Sequence, residues 1–346
     1  MPELRKDPII GRWVIIATER ARRPNDFKLD QNGTANNQPC PFCEGNEKLT
    51  PPEVDADRPV DTAKDTPGWL TRTVPNKYPA LTNEPEVAKQ IVGVFEKCKG
   101  VGEHEVVIEN PDHNKQLADL SLEEIKKVIL VCKRRSIKLG QDSRFKYVLI
   151  FKNYGLAAGA SLEHSHTQLI SLPIVPRRVS EELECIHRYF VDKKSCLFCD
   201  VVKQEMEEKL REVGENEDFY AFCPFASRSP FEVTIVPKKH KAAFTDINQG
   251  EVDNFAQILK DILTRVKILL DDPPYNFIIH TSPLNDNGND IYHWHAEVMP
   301  KLSKIAGFEW GTGFYINSTP PELASKYLKE VNIHKQRRKN GSKSRY

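Results

Sequence analysis

Apolar residues follow two rhythms along this chain, and the same sequence of rhythms occurs twice. "EVVIE" (105–109) and "FEVTIVP" (231–237) are short β-branched runs, as are "KYVLIFKN" (146–153) and "YNFIIHTS" (275–282), and all four are expected as strands. Between each pair the period lengthens to that of a helix. Ser121 and Glu124 stand in capping-box spacing ahead of Ile125, Val128, Ile129 and Cys132, which share one helical face. Asn248 and Glu251 repeat that start ahead of Val252, Phe255, Leu259, Ile262 and Val266. Each half is therefore expected to be α+β, a mostly antiparallel sheet with at least one long helix packed on it.

Landmarks outside these elements keep the same order. E-V-x-I-x-x-x-x-H runs from Glu105 to His113 and from Glu232 to His240, with Asp119 and Asp246 each six residues further on. His113 precedes His164 by 51 residues and His240 precedes His293 by 53. This reads as an internal duplication. Residues 1–178 form the first repeat and 179–333 the second, with Pro173 and Pro176 marking the join. The basic, apolar-poor stretch 334–346 is expected to be a disordered tail.

Composition adds limits. At 346 residues, 39% apolar and 29% charged, the chain is an ordinary globular mixture. A net charge of +1 gives no reason to expect nucleic acid as a partner. No stretch approaches the length of a membrane span, and "MPELRKDPII" lacks a signal-peptide apolar core, so a cytoplasmic protein is expected.

Four of the eight cysteines form two C-x-x-C pairs, Cys40/Cys43 and Cys196/Cys199. Each has histidines downstream, which favours metal over a redox dithiol. Zinc takes four N/S ligands in a tetrahedron. His113 and His164 complete one Cys2His2 set, and His240 and His293 the other, giving two zinc ions per chain. Buried thiols and ordinary strand-end histidines are the plainer account, but the set recurs whole in both halves.

If His164 ligates metal, the second histidine of "HSH" is left over. His166 is then a neutral imidazole on an anchored strand, able to attack an electrophilic phosphorus. The approach "FKNYGLAAGAS" carries Gly155 and Gly159, which let backbone N–H groups come close to phosphate oxygens. Neither a G-x-S-x-G elbow nor a P-loop is present. In "HWH" of the second half, His295 lacks that glycine approach and is expected to be structural or an alternative ligand.

"PELRKDPIIGRWVIIATERARRPNDF", "CPFC", "NKYPAL", "FKNYG", "GASLEHSHTQ" and "GFEWGTGFYIN", in this order over nearly the whole chain, resemble the galactose-1-phosphate uridylyltransferase branch of the histidine triad superfamily, including its plant ADP-glucose phosphorylase-like members. The resemblance implies a ping-pong nucleotidyl transfer from a nucleotide sugar to a sugar 1-phosphate, or to phosphate. His166 would be the nucleophile, with Gln168 holding the phosphoryl oxygens where histidine triad hydrolases have a third histidine. It further implies substrate contacts from Arg20, Arg23, Asn76, Asn153, Gly159 and Ser161. Phe308, Gly311 and Thr312 would reach the sugar phosphate from the partner subunit of a homodimer.

Two departures bear on the substrate. Ser165 stands where galactose-linked members have proline, and "GFEWGTG" replaces a lysine-bearing segment. The narrow preference is uridylyl transfer from UDP-glucose to a hexose 1-phosphate such as galactose 1-phosphate. Adenylyl transfer from ADP-glucose to phosphate is the alternative. A zinc-held interaction scaffold is the non-enzymatic alternative, against which stands the confinement of the glycine loop, Gln168 and unliganded His166 to one half.

Overall fold

The computed structural model describes residues 1–20, 23–27, 39–284 and 291–333, so the tail expected at 334–346 lies outside the described residues. The first repeat contains β1 (Glu3–Lys6), β2 (Trp13–Ile16), β3 (Asp55–Asp57), β4 (Thr71–Pro75), β5 (Lys89–Val92), β6 (Phe95–Cys98), β7 (His104–Ile108), α1 (Leu122–Gly140), β8 (Tyr147–Tyr154) and β9 (His166–Leu172). After α2 (Arg177–Lys193) come α3 (Leu197–Glu208), β10 (Glu212–Glu215), β11 (Phe219–Phe222), β12 (Val233–Pro237), α4 (Gln249–Leu269), β13 (Tyr275–His280), β14 (His295–Pro300), α5 (Gly307–Thr312), β15 (Tyr315–Asn317) and α6 (Pro321–Glu330). Among the described residues no helix is long and apolar enough to cross a membrane.

Ten strands form one antiparallel sheet in the order β10-β11-β12-β14-β13-β8-β9-β7-β4-β3. The order reads as two halves reflected about the β8–β13 pair. The repeats thus share one sheet, joined where Asn153 lies opposite Asn276 and Phe151 opposite Ile278. Both capping boxes form, Ser121 with Glu124 and Asn248 with Glu251. α1 and α4 lie on the same sheet face and bury the apolar faces that their spacing predicts. Val107, Ile150 and Leu169 from the first repeat and Ile235, Phe277 and Val298 from the second fill the layer beneath them. Each such side chain contributes roughly 1.5–3 kcal/mol on burial, so this face fixes the register of both repeats together.

The match between "EVVI" and "EVTI" is out of step by one residue. Val107 lies opposite Thr167 and Ile235 opposite Ala296, and both partners directly follow the second histidine of their H-x-H. Glu105 therefore corresponds in space to Val233, and His104 to Glu232. A slip of one residue turns every side chain of a strand to the other face. Glu105 accordingly meets Arg135 of α1, whereas Glu232 faces away from the helices and pairs with Arg228. The loops take up the difference, since His113 is six residues past Val107 and His240 five past Ile235.

A second sheet, β1-β2-β15, packs Val14, Ile16 and Tyr315 against Ala226 of the second repeat. Asn317 pins it there, Nδ2 donating to Ser227 O at 3.0 Å and to Ser229 O at 3.3 Å. The β5–β6 hairpin stands out from the body with Ile91, Val92, Val94 and Phe95 exposed.

Candidate functional site

On the sheet face away from α1 and α4, each C-x-x-C meets the two histidines of its own repeat. Cys40, Cys43, His113 and His164 bring four donor atoms within 4.8 Å of one another, and so do Cys196, Cys199, His240 and His293. His113 Nδ1 lies 3.4 Å from Cys43 Sγ, while His164 Nδ1 lies 3.8 Å from Cys40 Sγ and 3.7 Å from Cys43 Sγ. The second set repeats this, with 3.5 Å from His240 Nδ1 to Cys199 Sγ and 3.8 and 3.6 Å from His293 Nδ1 to Cys196 and Cys199. Zn–S near 2.3 Å and Zn–N near 2.0–2.1 Å at a tetrahedral angle place S and N about 3.6 Å apart. The donor sets fit such an ion. Their outer partners fit as well: His164 Nε2–H donates to Asn110 O at 2.8 Å and His293 Nε2–H to Pro237 O at 3.0 Å, turning each Nδ1 lone pair toward the thiols.

The leftover histidine of each pair is packed by its own C-x-x-C. Phe42 of "CPFC" meets the His166 ring at 5.3 Å and Phe198 of "CLFC" meets His295 at 4.5 Å. His166 Nδ1–H donates to His164 O at 2.8 Å, which leaves the Nε2 lone pair for chemistry. Burial, with the Lys152 ammonium behind the strand, holds this imidazole down at about 4. Lys152 is itself buried, its Nζ donating to both Glu109 oxygens (3.0 and 3.1 Å), to Ser165 Oγ (2.9 Å) and to His166 O (3.2 Å). Ser165 and Thr167 both donate to Glu109. Burial alone would raise the Glu109 carboxyl, but Lys152 and the two hydroxyls hold it below the usual range.

Gln168 follows His166 on the same face. Its Oε1 lies 2.8 Å from His104 Nε2. Asn76 anchors beside it, its backbone N–H donating to His104 O at 2.7 Å. Asn153 reaches this face from β8, and Asn276 of the second repeat donates from Nδ2 to Asn153 Oδ1 (2.8 Å) and to Ala158 O (2.9 Å). The glycine loop closes the site. Gly155 has φ of +77°, and a Cβ there would come 2.9 Å from Pro274; Gly159 has φ of +91° with Asn153 Nδ2 next to it. Ser161 is exposed at the end of that loop.

His166, Gln168, Asn76, Asn153 and Gly159 are thus brought together. Among the described residues, Arg23, Phe308, Gly311 and Thr312 are not tied to them, and the side chain of Arg20 lies outside what is described. Arg20 ends a 3-10 turn (Thr18–Arg20) and Arg23 is exposed ahead of the next (Pro24–Asp26), its backbone N–H donating to Asp26. Phe308, Gly311 and Thr312 lie on the exposed helix α5, where Thr312 Oγ1 donates to Phe308 O and Trp310 is 78% exposed.

Residues 1–176 match the N-terminal domain of galactose-1-phosphate uridyl transferase, and residues 182–337 match its C-terminal domain. The chain belongs to the galactose-1-phosphate uridylyltransferase family. Within this family, the ADP-glucose phosphorylase of Arabidopsis thaliana is 38% identical over 338 residues, 96% of this chain and 93% of the relative. The galactose-1-phosphate uridylyltransferase of Thermotoga maritima is 32% identical over 342 residues, 96% of this chain and 99% of the relative. A crystal structure of the Arabidopsis ADP-glucose phosphorylase with bound ADP-glucose has a TM-score of 0.81 at 34% identity, covering 96% of this chain and 99% of that one. A uridylyltransferase structure scores 0.73 at 30% identity, covering 95% and 97%.

In this uridylyltransferase-family chain the second repeat carries a charged counterpart of the site. Strand register makes His295 the counterpart of His166, Glu297 that of Gln168 and His280 that of Asn153. His280 stacks on His295 at 4.6 Å, and Glu182, His280 and His295 form a third buried group that could hold a metal ion. Burial would push the His280 imidazole down, but Glu182 and Glu297 override it and hold it at about 9.

Lys152, Glu109, His104, Asn276, Glu182 and His280 carry this geometry without having been singled out from the sequence. One signal was readable: Lys152 shares strand parity with Val148 and Ile150, so a charge there needed a buried partner. The others depend on pairings between segments far apart in the chain.

Proposed function

We propose that the protein transfers a nucleotidyl group from a nucleoside diphosphate sugar through a covalent intermediate on His166. The observation that carries this reading is the His166 ring itself: neutral, oriented through Nδ1, and next to a glutamine. Nε2 attacks the α-phosphorus, an N–P bond forms, and the P–O bond to the departing sugar 1-phosphate breaks. A phosphate oxygen of the acceptor then attacks the same phosphorus and the N–P bond breaks. Gln168 donates to the phosphoryl oxygens but cannot exchange a proton, which favours transfer over hydrolysis. Asn76, Asn153, Gly159 and Ser161 line the phosphates and nucleotide, with Arg20 and Arg23 as cationic partners.

The same proposal assigns zinc to both Cys2His2 sets, where it would supply structural anchoring. His164 and His293 would hold their strands in place, and His164 with them the ring of His166. Residues 1–178 and 179–333 are taken as the two repeats. The exposed α5 suits a homodimer in which Phe308, Gly311 and Thr312 reach the site of a second copy. None of the eight cysteines forms a disulfide, in keeping with a cytoplasmic setting.

The family's name and its galactose-1-phosphate uridylyltransferases support uridylyl transfer from UDP-glucose to a hexose 1-phosphate such as galactose 1-phosphate. A second reading, adenylyl transfer from ADP-glucose to phosphate, is favoured by a specific observation. Identity and TM-score are higher to the Arabidopsis ADP-glucose phosphorylase, at 38% and 0.81, than to the uridylyltransferases at 32% and 0.73. Intact-mass measurement after incubation with each donor decides between them. A UMP-sized gain with UDP-glucose, discharged by galactose 1-phosphate, supports the first. An AMP-sized gain only with ADP-glucose, discharged by phosphate, supports the second. No covalent gain with either donor would overturn nucleotidyl transfer through His166.

A further inference from the structure

The carboxamide of Gln168 has two ends, and only one serves a phosphoryl group. An amide N–H can donate to a phosphoryl oxygen, whereas the carbonyl oxygen would be repelled by it. Free to rotate, the side chain would present either end. Something beside it has to decide, and the second repeat shows how that position can be used. There the counterpart of Gln168 is Glu297, held by Arg228 at 2.6 Å, and Arg228 is held in turn by Glu232, the counterpart of His104.

In the first repeat the corresponding contact is direct. His104 Nε2 lies 2.8 Å from Gln168 Oε1. The Ala80 N–H donates to His104 Nδ1 at 3.4 Å, which leaves Nε2 to carry a proton and donate it to the glutamine. Asn76 Nδ2 lies 3.2 Å from the same ring nitrogen, with Asn76 Oδ1 turned to accept from the Tyr78 N–H at 2.9 Å. Strand geometry fixes the approach, since Val106 lies opposite Gln168 and His104 opposite Ile170, making the pair diagonal neighbours on one face. Phe151 adds a wall 6.5 Å from the imidazole.

We propose that His104 is a positioning residue for nucleotidyl transfer: it holds Gln168 Oε1, and so directs the Gln168 amide N–H groups at the phosphoryl oxygens on His166. This rests on the reading of His166 as the nucleophile. It makes Gln168 a donor of fixed direction, and ties β7 to chemistry on β9.

The test uses the full chain with His104→Phe, which keeps a ring but loses the donor, and His104→Gln, which keeps an N–H. Single-turnover formation and discharge of the nucleotidyl-enzyme are followed by intact mass, with metal content and thermal unfolding measured alongside. His104→Phe is expected to slow both half-reactions about 10- to 100-fold with KM little changed, as loss of orientation does, and His104→Gln to recover most of the rate. In the His104→Phe/Gln168→Ala double variant the loss should not exceed that of Gln168→Ala alone, because His104 acts through Gln168. A His104→Phe protein that is folded, metal-loaded and as fast as wild type overturns the inference, as does full additivity in the double variant. Absence of any nucleotidyl-enzyme in the wild type would instead overturn the function on which it rests.

Discussion

Asn276 Nδ2 donates to Asn153 Oδ1 across 2.8 Å, from the joining strand of one repeat to that of the other. The same amide reaches Ala158 O, so one side chain of the second repeat orients both a site carboxamide and the glycine loop of the first. Fusing the two sheets at β8 and β13 therefore does more than enlarge the core. Asn276→Ala should raise KM for the nucleotide sugar roughly tenfold, the worth of one or two lost hydrogen bonds, with a smaller change in kcat. Steady-state kinetics check this, and an unaltered KM would show that Asn153 and the loop hold themselves.

Removing a thiol from either Cys2His2 set should cost one metal and part of the stability. Cys40→Ser is expected to leave one equivalent of zinc, in the second repeat, and Cys196→Ser one in the first. Apparent binding energies in small structural sites are roughly 10–16 kcal/mol, so both variants should melt well below wild type. Metal analysis by mass spectrometry reads the stoichiometry, and two unchanged values would dismiss the assignment.

His166→Gly and His164→Gly should fail in different ways although only Ser165 separates them. The first should keep its metal and fold while gaining no nucleotide mass from a donor. The second should lose metal from the first repeat. Full turnover by His166→Gly would exclude the proposed nucleophile.

The ion pair behind β9 predicts a pH dependence. Glu109 is held below the ordinary glutamate value of about 4.5, so the stability that it contributes is present above that unfolded value and lost as pH falls through the depressed folded one. Glu109→Gln leaves the Lys152 ammonium buried without its carboxylate, a loss of about 3–5 kcal/mol at neutral pH. The gap to wild type should narrow as pH drops into the acid range. Denaturant titrations at several pH values measure it, and a gap independent of pH would mean that Glu109 is not ionised in the fold.

What the sequence determined by itself were the features written in local spacing. Capping boxes at Ser121 and Asn248 start the helices, short β-branched and aromatic runs make β7, β8, β12 and β13, and C-x-x-C with H-x-H names one set of candidate donors in each repeat. Each depends on residues near in the chain or on an order that survives duplication. The tertiary structure alone decided what depends on strand register, because a shift of one residue reverses the face to which every side chain points. That is why "EVVI" and "EVTI" align as letters and yet place Glu105 under α1 and Glu232 on the opposite face, and why His104 rather than Glu105 stands next to Gln168. Only the pairing of β8 with β13 could bring Asn276 to Asn153, and only the packing of α2 could bring Glu182 to His280, since those partners lie 123 and 98 residues apart with no periodic signal between them.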